Sequence, residues 1–256
     1  MGPSRNRALI RAALFDVGDT IFRVQGDAAA QRRAVLARLV ARFGLRDWYE
    51  ELLEADLLTE LLRDDPDEPM RQRTLVVLEH WLGAKDPRIA GAHVDELRGI
   101  VAVPRAIGTE VAPGARETLE RLRADGLRIV LVSNTLWTGD DELRADIGEL
   151  GLGALIDGVV TSHSTGYRKP HPAIFERALA LAGATGREAL MVGDEPYQDV
   201  FGAQRAGMRG VWLRHPPPRP HPVGAPRAFD VRADAEIRSL AELPEVYERW
   251  RRTDRG

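Results

Sequence analysis

Four short polar clusters carry residue types able to do chemistry: Asp16 to Thr20 in "ALFDVGDTIF", Ser133 to Thr135 in "LVSNT", Tyr167 to Pro170 in "YRKP", and Asp194 to Asp199 in "VGDEPYQD". Asp16 offers a carboxylate oxygen as a nucleophile. Asp16 and Asp194 together offer the hard oxygen ligands that Mg2+ prefers. Ser133 and nearby backbone N–H groups can hold phosphoryl oxygens, with Thr20 and Asn134 as candidate substrate contacts beside it. Lys169 can neutralise charge between a phosphate and a carboxylate, a gap that suits a compact ammonium better than a planar guanidinium. Asp199 completes the metal site as the acid that orients metal-bound water from one layer out. These are the parts that phosphoryl transfer requires. Lysine is also scarce: only Lys85 and Lys169 occur among 36 basic residues, so a retained lysine suggests a specific use.

Each cluster alone has a plain structural explanation. Asp16 can start a turn, Ser133 and Asn134 can cap a helix, Lys169 can be a solvated charge, and Asp194 can be an N-cap. Their common placement is harder to explain that way. Short apolar runs at Leu9–Phe15, "LRIVLVS" (127–133), "IDGVVTS" (156–162), "EALMVGD" (188–194) and "RGVWLRH" (209–215) read as buried strands. The last four are separated by segments of helical period that end at glycine-marked breaks. In "HPAIFERALALAGA", Ile174, Ala178, Leu181 and Ala182 share one helix face. Alternating strands and helices predict an α/β fold with a parallel, Rossmann-like sheet covered on both faces. Such a sheet places ligands outside the carboxyl ends of its strands, where the four clusters lie.

Residues 23–103 read differently. "AAAQRRAVLARLVARFG", "WYEELLEADLLTELL", "MRQRTLVVLEHWLG" and "HVDELRGIVAV" are all helical in pattern, with no strand between them. They predict a bundle of about four helices inserted after the first strand. The core is then residues 1–22 and 104–256. "HPPPRPHPVGAP" is too proline-rich for helix or sheet interior and reads as an extended surface loop flanked by solvated His215 and His221. "AFDVRA" predicts a short strand and "SLAELPEVYERW" a closing helix.

The composition narrows the class. The 256 residues are 44% hydrophobic with a net charge of −3, so no global field points to nucleic acid or an anionic membrane. There is no cysteine, which excludes disulfides, thiolate metal sites and a cysteine nucleophile. No apolar run is long enough to span a bilayer, and "MGPSRNRALI" lacks a signal-peptide core. A soluble cytoplasmic protein acting on a small phosphorylated molecule is the expectation. Oligomeric state is not legible.

The chain resembles the haloacid dehalogenase superfamily of aspartate-nucleophile hydrolases over nearly its whole length. "FDVGDT" is similar to the first motif of that family, "LVSNT" to the second, "YRKPHPAIF" to the third and "VGDEPYQDVFGAQRAGM" to the fourth. The resemblance implies a Rossmann-like core with the inserted helices as a mobile cap. It implies Asp16 as nucleophile, a backbone carbonyl of Gly18 on Mg2+, and Asp194 as the remaining protein ligand.

Position 18 departs from that pattern. The usual motif reads Asp-x-Asp-Gly-Thr, and its second acid protonates the leaving oxygen and then activates water. Here Gly18 precedes Asp19. An extended backbone aims Asp19 away from Asp16, whereas a turn permitted by Gly18 brings it back. Asp19 is therefore either a turn residue or a displaced acid/base, with the turn favoured. Losing a positioned acid removes roughly 10²–10⁴-fold in rate, least for acyl or aryl phosphates. Two other readings share the fold. One cleaves a carbon–halogen bond, or a carbon–phosphorus bond with Lys85 as Schiff base. The other is a regulatory phosphate-binding protein of low activity.

Overall fold

The computed structural model describes residues 8–24, 33–34, 37–38, 41, 70, 109–135, 138–215 and 231–254. Strands β1 (Ala12–Phe15), β4 (Arg128–Ser133), β5 (Gly158–Thr161), β6 (Ala189–Gly193), β7 (Arg209–Leu213) and β8 (Ala235–Ile237) form one sheet in the order β5-β4-β1-β6-β7-β8. Every pairing in it is parallel. β1 is fully buried because both faces are covered. Ala13 and Phe15 face one core with Leu119 and Leu122 of α1 (Ala115–Ala124), Leu143 and Ile147 of α2 (Asp140–Glu149), and residues of the C-terminal helix. Ala12 and Leu14 face the other core, with Ile174, Phe175 and Ala178.

The expected strands and helices form, with three differences. The helix at 172–182 buries Ile174, Phe175, Ala178, Leu179 and Ala182, whereas Leu181 is 46% exposed. Leu181 sits at the edge of the apolar face, where its side chain lies over Gly158. The last strand begins later than "AFDVRA". Val231–Ala233 carry no strand, and pairing with β7 starts at Val211↔Ala235. Asp234 accounts for the delay: its backbone N–H donates to the Gly210 carbonyl, and its carboxylate accepts from the Gly210 N–H.

The third difference is a two-stranded antiparallel ribbon of β2 (Phe22–Val24) and β3 (Thr109–Val111). Val24 pairs with Thr109, so the chain leaves and re-enters the core at one point. Strands of three residues separated by so long a stretch leave no periodic signal. Within the stretch between them, residues 33, 34, 37, 38 and 41 are helical and exposed. The rest of the expected bundle, with Trp48, Arg71, Trp81 and Lys85, lies outside the described residues, as do Trp137 and the proline-rich segment with His221. No helix among the described residues is long and apolar enough to cross a membrane.

The strand order positions the site. From β1 the chain moves outward through β4 to β5, then returns across the sheet to β6 on the other side of β1. The direction of winding reverses beside β1, which opens a crevice at the carboxyl ends of β1, β4 and β6.

Candidate active site

Asp16 follows β1 directly, and its N–H still donates to the Val192 carbonyl of β6 at 2.9 Å. That bond locks the backbone of Asp16 while leaving its carboxylate, in a residue 9% exposed, at the rim. Ser133 ends β4 one strand away and is almost buried. Asp194 follows β6 on the other side. A π-helical turn over Pro196–Phe201 then carries Asp199 back beneath the rim, fully buried. Gly193, at the end of β6, makes room for it: a Cβ there would stand 2.1 Å from the carboxylate of Asp199.

Lys169 reaches the same place from the loop before α4 (Pro172–Ala182). Its buried ammonium donates to Asp16 Oδ1 at 2.5 Å and to Asp199 Oδ1 at 2.7 Å. The other Asp199 oxygen accepts the Glu195 N–H at 3.0 Å. Burial works against the ammonium, but the charges of Asp16 and Asp199 outweigh it and hold the Lys169 pKa above its ordinary 10.5. Burial also pushes Asp199 up to about 7, with Lys169 opposing the shift. Asp194 is pushed up to about 9 by burial and then by the charges of Asp16, Asp199, Glu195 and Asp19.

Three carboxylates thus face one ammonium, which touches only two of them. Asp16, Asp194 and Asp199 each present an oxygen within 4.8 Å of the others. The donors are all hard oxygens and their repulsion is only partly neutralised, so the residues present fit a small divalent cation such as Mg2+.

Thr20 is fully buried, and its hydroxyl has no hydrogen-bond partner among the described residues. Asn134 does not point an idle amide at the rim. It accepts the Lys169 N–H (2.7 Å) and donates to the Lys169 carbonyl (3.1 Å) and to Gln198 Oε1 (2.7 Å). Gly18 is exposed, and a Cβ there would meet nothing within 4 Å. Asp19 adopts the left-handed region at φ 56, so it forms the turn that the Gly18–Asp19 order suggested.

Two contacts had no signal in the sequence. His215, expected to be solvated, approaches the Asp19 carbonyl with Nε2 at 2.6 Å. Trp212 Nε1 donates to the Asp194 carbonyl at 3.1 Å. Both lie at the end of β7 and brace the loops that carry the acids; only the strand order could reveal them. His163, by contrast, sits half-buried in the short helix α3 (Ser162–Thr165). From the inserted segment, Met70 accepts the Arg168 N–H at 2.6 Å, one residue before Lys169.

Comparison with known proteins points to one family. A family model for haloacid dehalogenase-like hydrolases matches residues 10–207. Glyceraldehyde 3-phosphate phosphatase from Pyrococcus abyssi (strain GE5 / Orsay) is 31% identical over 219 residues, 81% of this chain and 82% of that protein. The crystal structure of a HAD phosphatase from Thermococcus onnurineus is 26% identical with a TM-score of 0.58, covering 93% of this chain and 97% of that one. A 2-haloacid dehalogenase from Pseudomonas syringae pv. Tomato DC3000 is 27% identical with a TM-score of 0.55, covering 94% and 100%. With its buried lysine between two aspartates at the crevice of a parallel sheet, and the match across most of its length, the chain belongs to the haloacid dehalogenase-like hydrolases.

Proposed function

We propose that this hydrolase is a Mg2+-dependent phosphatase of a small phosphorylated metabolite, acting through an aspartyl-phosphate on Asp16. The observation that carries the reading is the Lys169 ammonium bound to both Asp16 and Asp199, with Asp194 completing a cluster that fits a divalent cation. A carboxylate oxygen of Asp16 attacks phosphorus, the bond from phosphorus to the ester oxygen breaks, and the leaving oxygen takes its proton from solvent water, because Gly18 offers none. Water then cleaves the acyl phosphate, which restores the carboxylate and releases inorganic phosphate. Lys169 holds the Asp16 carboxylate in place and faces the incoming negative charge. Ser133 and the backbone after β4 bind phosphoryl oxygens. Asp16, Asp194 and the Gly18 carbonyl would hold Mg2+, which when bound offsets the charge of the phosphoryl group. Asp199 keeps Lys169 charged and oriented, and the buried Thr20 hydroxyl would bind a phosphoryl oxygen.

Residues 23–103 would be a helical cap over the crevice. The antiparallel pairing of β2 with β3 at its base and the Met70–Arg168 contact support an insertion that comes back to the site. Its side chains would select the substrate. The name of the Pyrococcus abyssi relative makes glyceraldehyde 3-phosphate the first ester to test.

The experiment is turnover of p-nitrophenyl phosphate and a panel of phosphorylated metabolites, with Mg2+ and with EDTA. Turnover that needs Mg2+ and disappears in Asp16→Asn is the expected result. Turnover that survives Asp16→Asn would sink the proposal. Halide release from a 2-haloacid in EDTA would favour the carbon–halogen reading. Tight beryllofluoride binding without hydrolysis of any ester would favour the regulatory one.

A further inference from the structure

We infer that Gln198 is a positioning residue that acts through Asn134 on Lys169, so that one turn of the chain holds this lysine at both ends. Asn134 grips the main chain of Lys169 twice, accepting its N–H at 2.7 Å and donating to its carbonyl at 3.1 Å. A peptide N–H can only donate and a carbonyl can only accept, so these two bonds fix which way the Asn134 amide faces. Its remaining N–H then needs an acceptor, and Gln198 Oε1 supplies one at 2.7 Å. The next residue, Asp199, takes the other end of the same lysine, accepting from its ammonium at 2.7 Å.

The π-helical turn over Pro196–Phe201 makes this possible. Neighbouring residues of one turn reach two separate targets: Asp199 the tip of the Lys169 side chain, Gln198 the anchor of its backbone. A long flexible side chain must be held at its root as well as its tip if its ammonium is to stay beside Asp16 at 2.5 Å. The catalytic part of the inference rests on the phosphatase reading; the clamp itself does not.

The test uses the fact that the chain has two lysines, Lys85 and Lys169. In full-length protein labelled with 15N at the lysine Nζ, Lys85→Arg identifies the Lys169 ammonium signal. A slowly exchanging signal is expected in the wild type and in Gln198→Glu, which keeps an acceptor. In Gln198→Ala it should broaden or exchange markedly faster. On p-nitrophenyl phosphate with Mg2+, Gln198→Ala should lower kcat roughly 10-fold and leave KM within about twofold. Adding Gln198→Ala to Asn134→Ala should cost little more than Asn134→Ala alone. An unchanged ammonium signal in Gln198→Ala overturns the clamp. So does a double variant whose losses simply add. If the wild type shows the signal but hydrolyses no ester, the phosphatase reading fails and the signal alone decides the clamp.

Discussion

At Lys169 a single buried ammonium serves two carboxylates, and a third, Asp194, stands beside them. Arginine, the far commoner cation in this chain, has a planar head and five donors in a fixed fork; the gap between Asp16 and Asp199 accepts a point charge. Gly18 is the other residue on which the proposed chemistry turns. It is exposed, has open space where a side chain would begin, and does not lie at positive φ. A carboxylate is sterically permitted there, so its absence is a chemical fact and no consequence of crowding. Asp19, turned at φ 56 with its carbonyl close to His215, forms the bend of the loop. Gly18→Asp should therefore raise kcat on an alkyl phosphate by at least about 10-fold, since a positioned acid contributes roughly 10²–10⁴-fold. It should change kcat on an aryl phosphate much less. Steady-state rates on the two ester types check this, and equal effects on both would contradict it.

Between β6 and α5 (Gly202–Arg205), the turn that carries Asp199 depends on how closely it can approach the strand before it. A Cβ on Gly193 would overlap the Asp199 carboxylate. That carboxylate cannot retreat without giving up either Lys169 or the Glu195 N–H. Gly193→Ala should cost about 1–3 kcal/mol by overpacking, read by urea denaturation. It should also lower kcat by more than that loss of stability explains, because Asp199 is the group displaced. A variant with wild-type kcat would show that Asp199 can shift without consequence. Helix α4 marks what the sequence made legible. The period of "HPAIFERALALAGA" announced a helix and most of its buried face, because burial on a helix follows spacing along the chain. It did not place Leu181, whose exposure depends on where the helix sits across Gly158.

Two features act on the molecule as a whole. In the metal-free protein Asp194 is held up at about 9 against an ordinary 3.8. Between about pH 4 and pH 9 the folded state keeps a proton that the unfolded chain has released. The contribution to stability is complete below the unfolded value and is lost as pH rises through the folded one. In EDTA the Tm should accordingly fall from about pH 5 to pH 9. Asp194→Asn should flatten that slope, and saturating Mg2+ should reduce it by taking the proton's place. A slope unchanged in Asp194→Asn would place its cause elsewhere. At the opposite end of the chain, helix α6 (Leu243–Thr253) is tied back to β7. Arg209 Nη2 meets both oxygens of Asp254 at 2.7 and 2.6 Å, with its guanidinium over the Trp250 ring. Both charged side chains are nearly buried. Asp254→Ala would leave Arg209 inside without its partner, at a cost of about 3–5 kcal/mol, measurable by denaturant unfolding.

By itself the sequence determined the parallel sheet and, at the ends of its strands, Asp16, Lys169, Asp194 and Asp199, which the structure brings together. Strand and helix period are local properties, and alternation of the two forces parallel strands whose carboxyl ends share one rim. Only the tertiary structure decided that Asn134 grips the Lys169 backbone, that His215 reaches the Asp19 carbonyl, and that Trp212 braces Asp194. Hydrogen bonds depend on positions and directions to within a fraction of an ångström, and partners far apart in the chain acquire those only when the sheet order sets one loop against another.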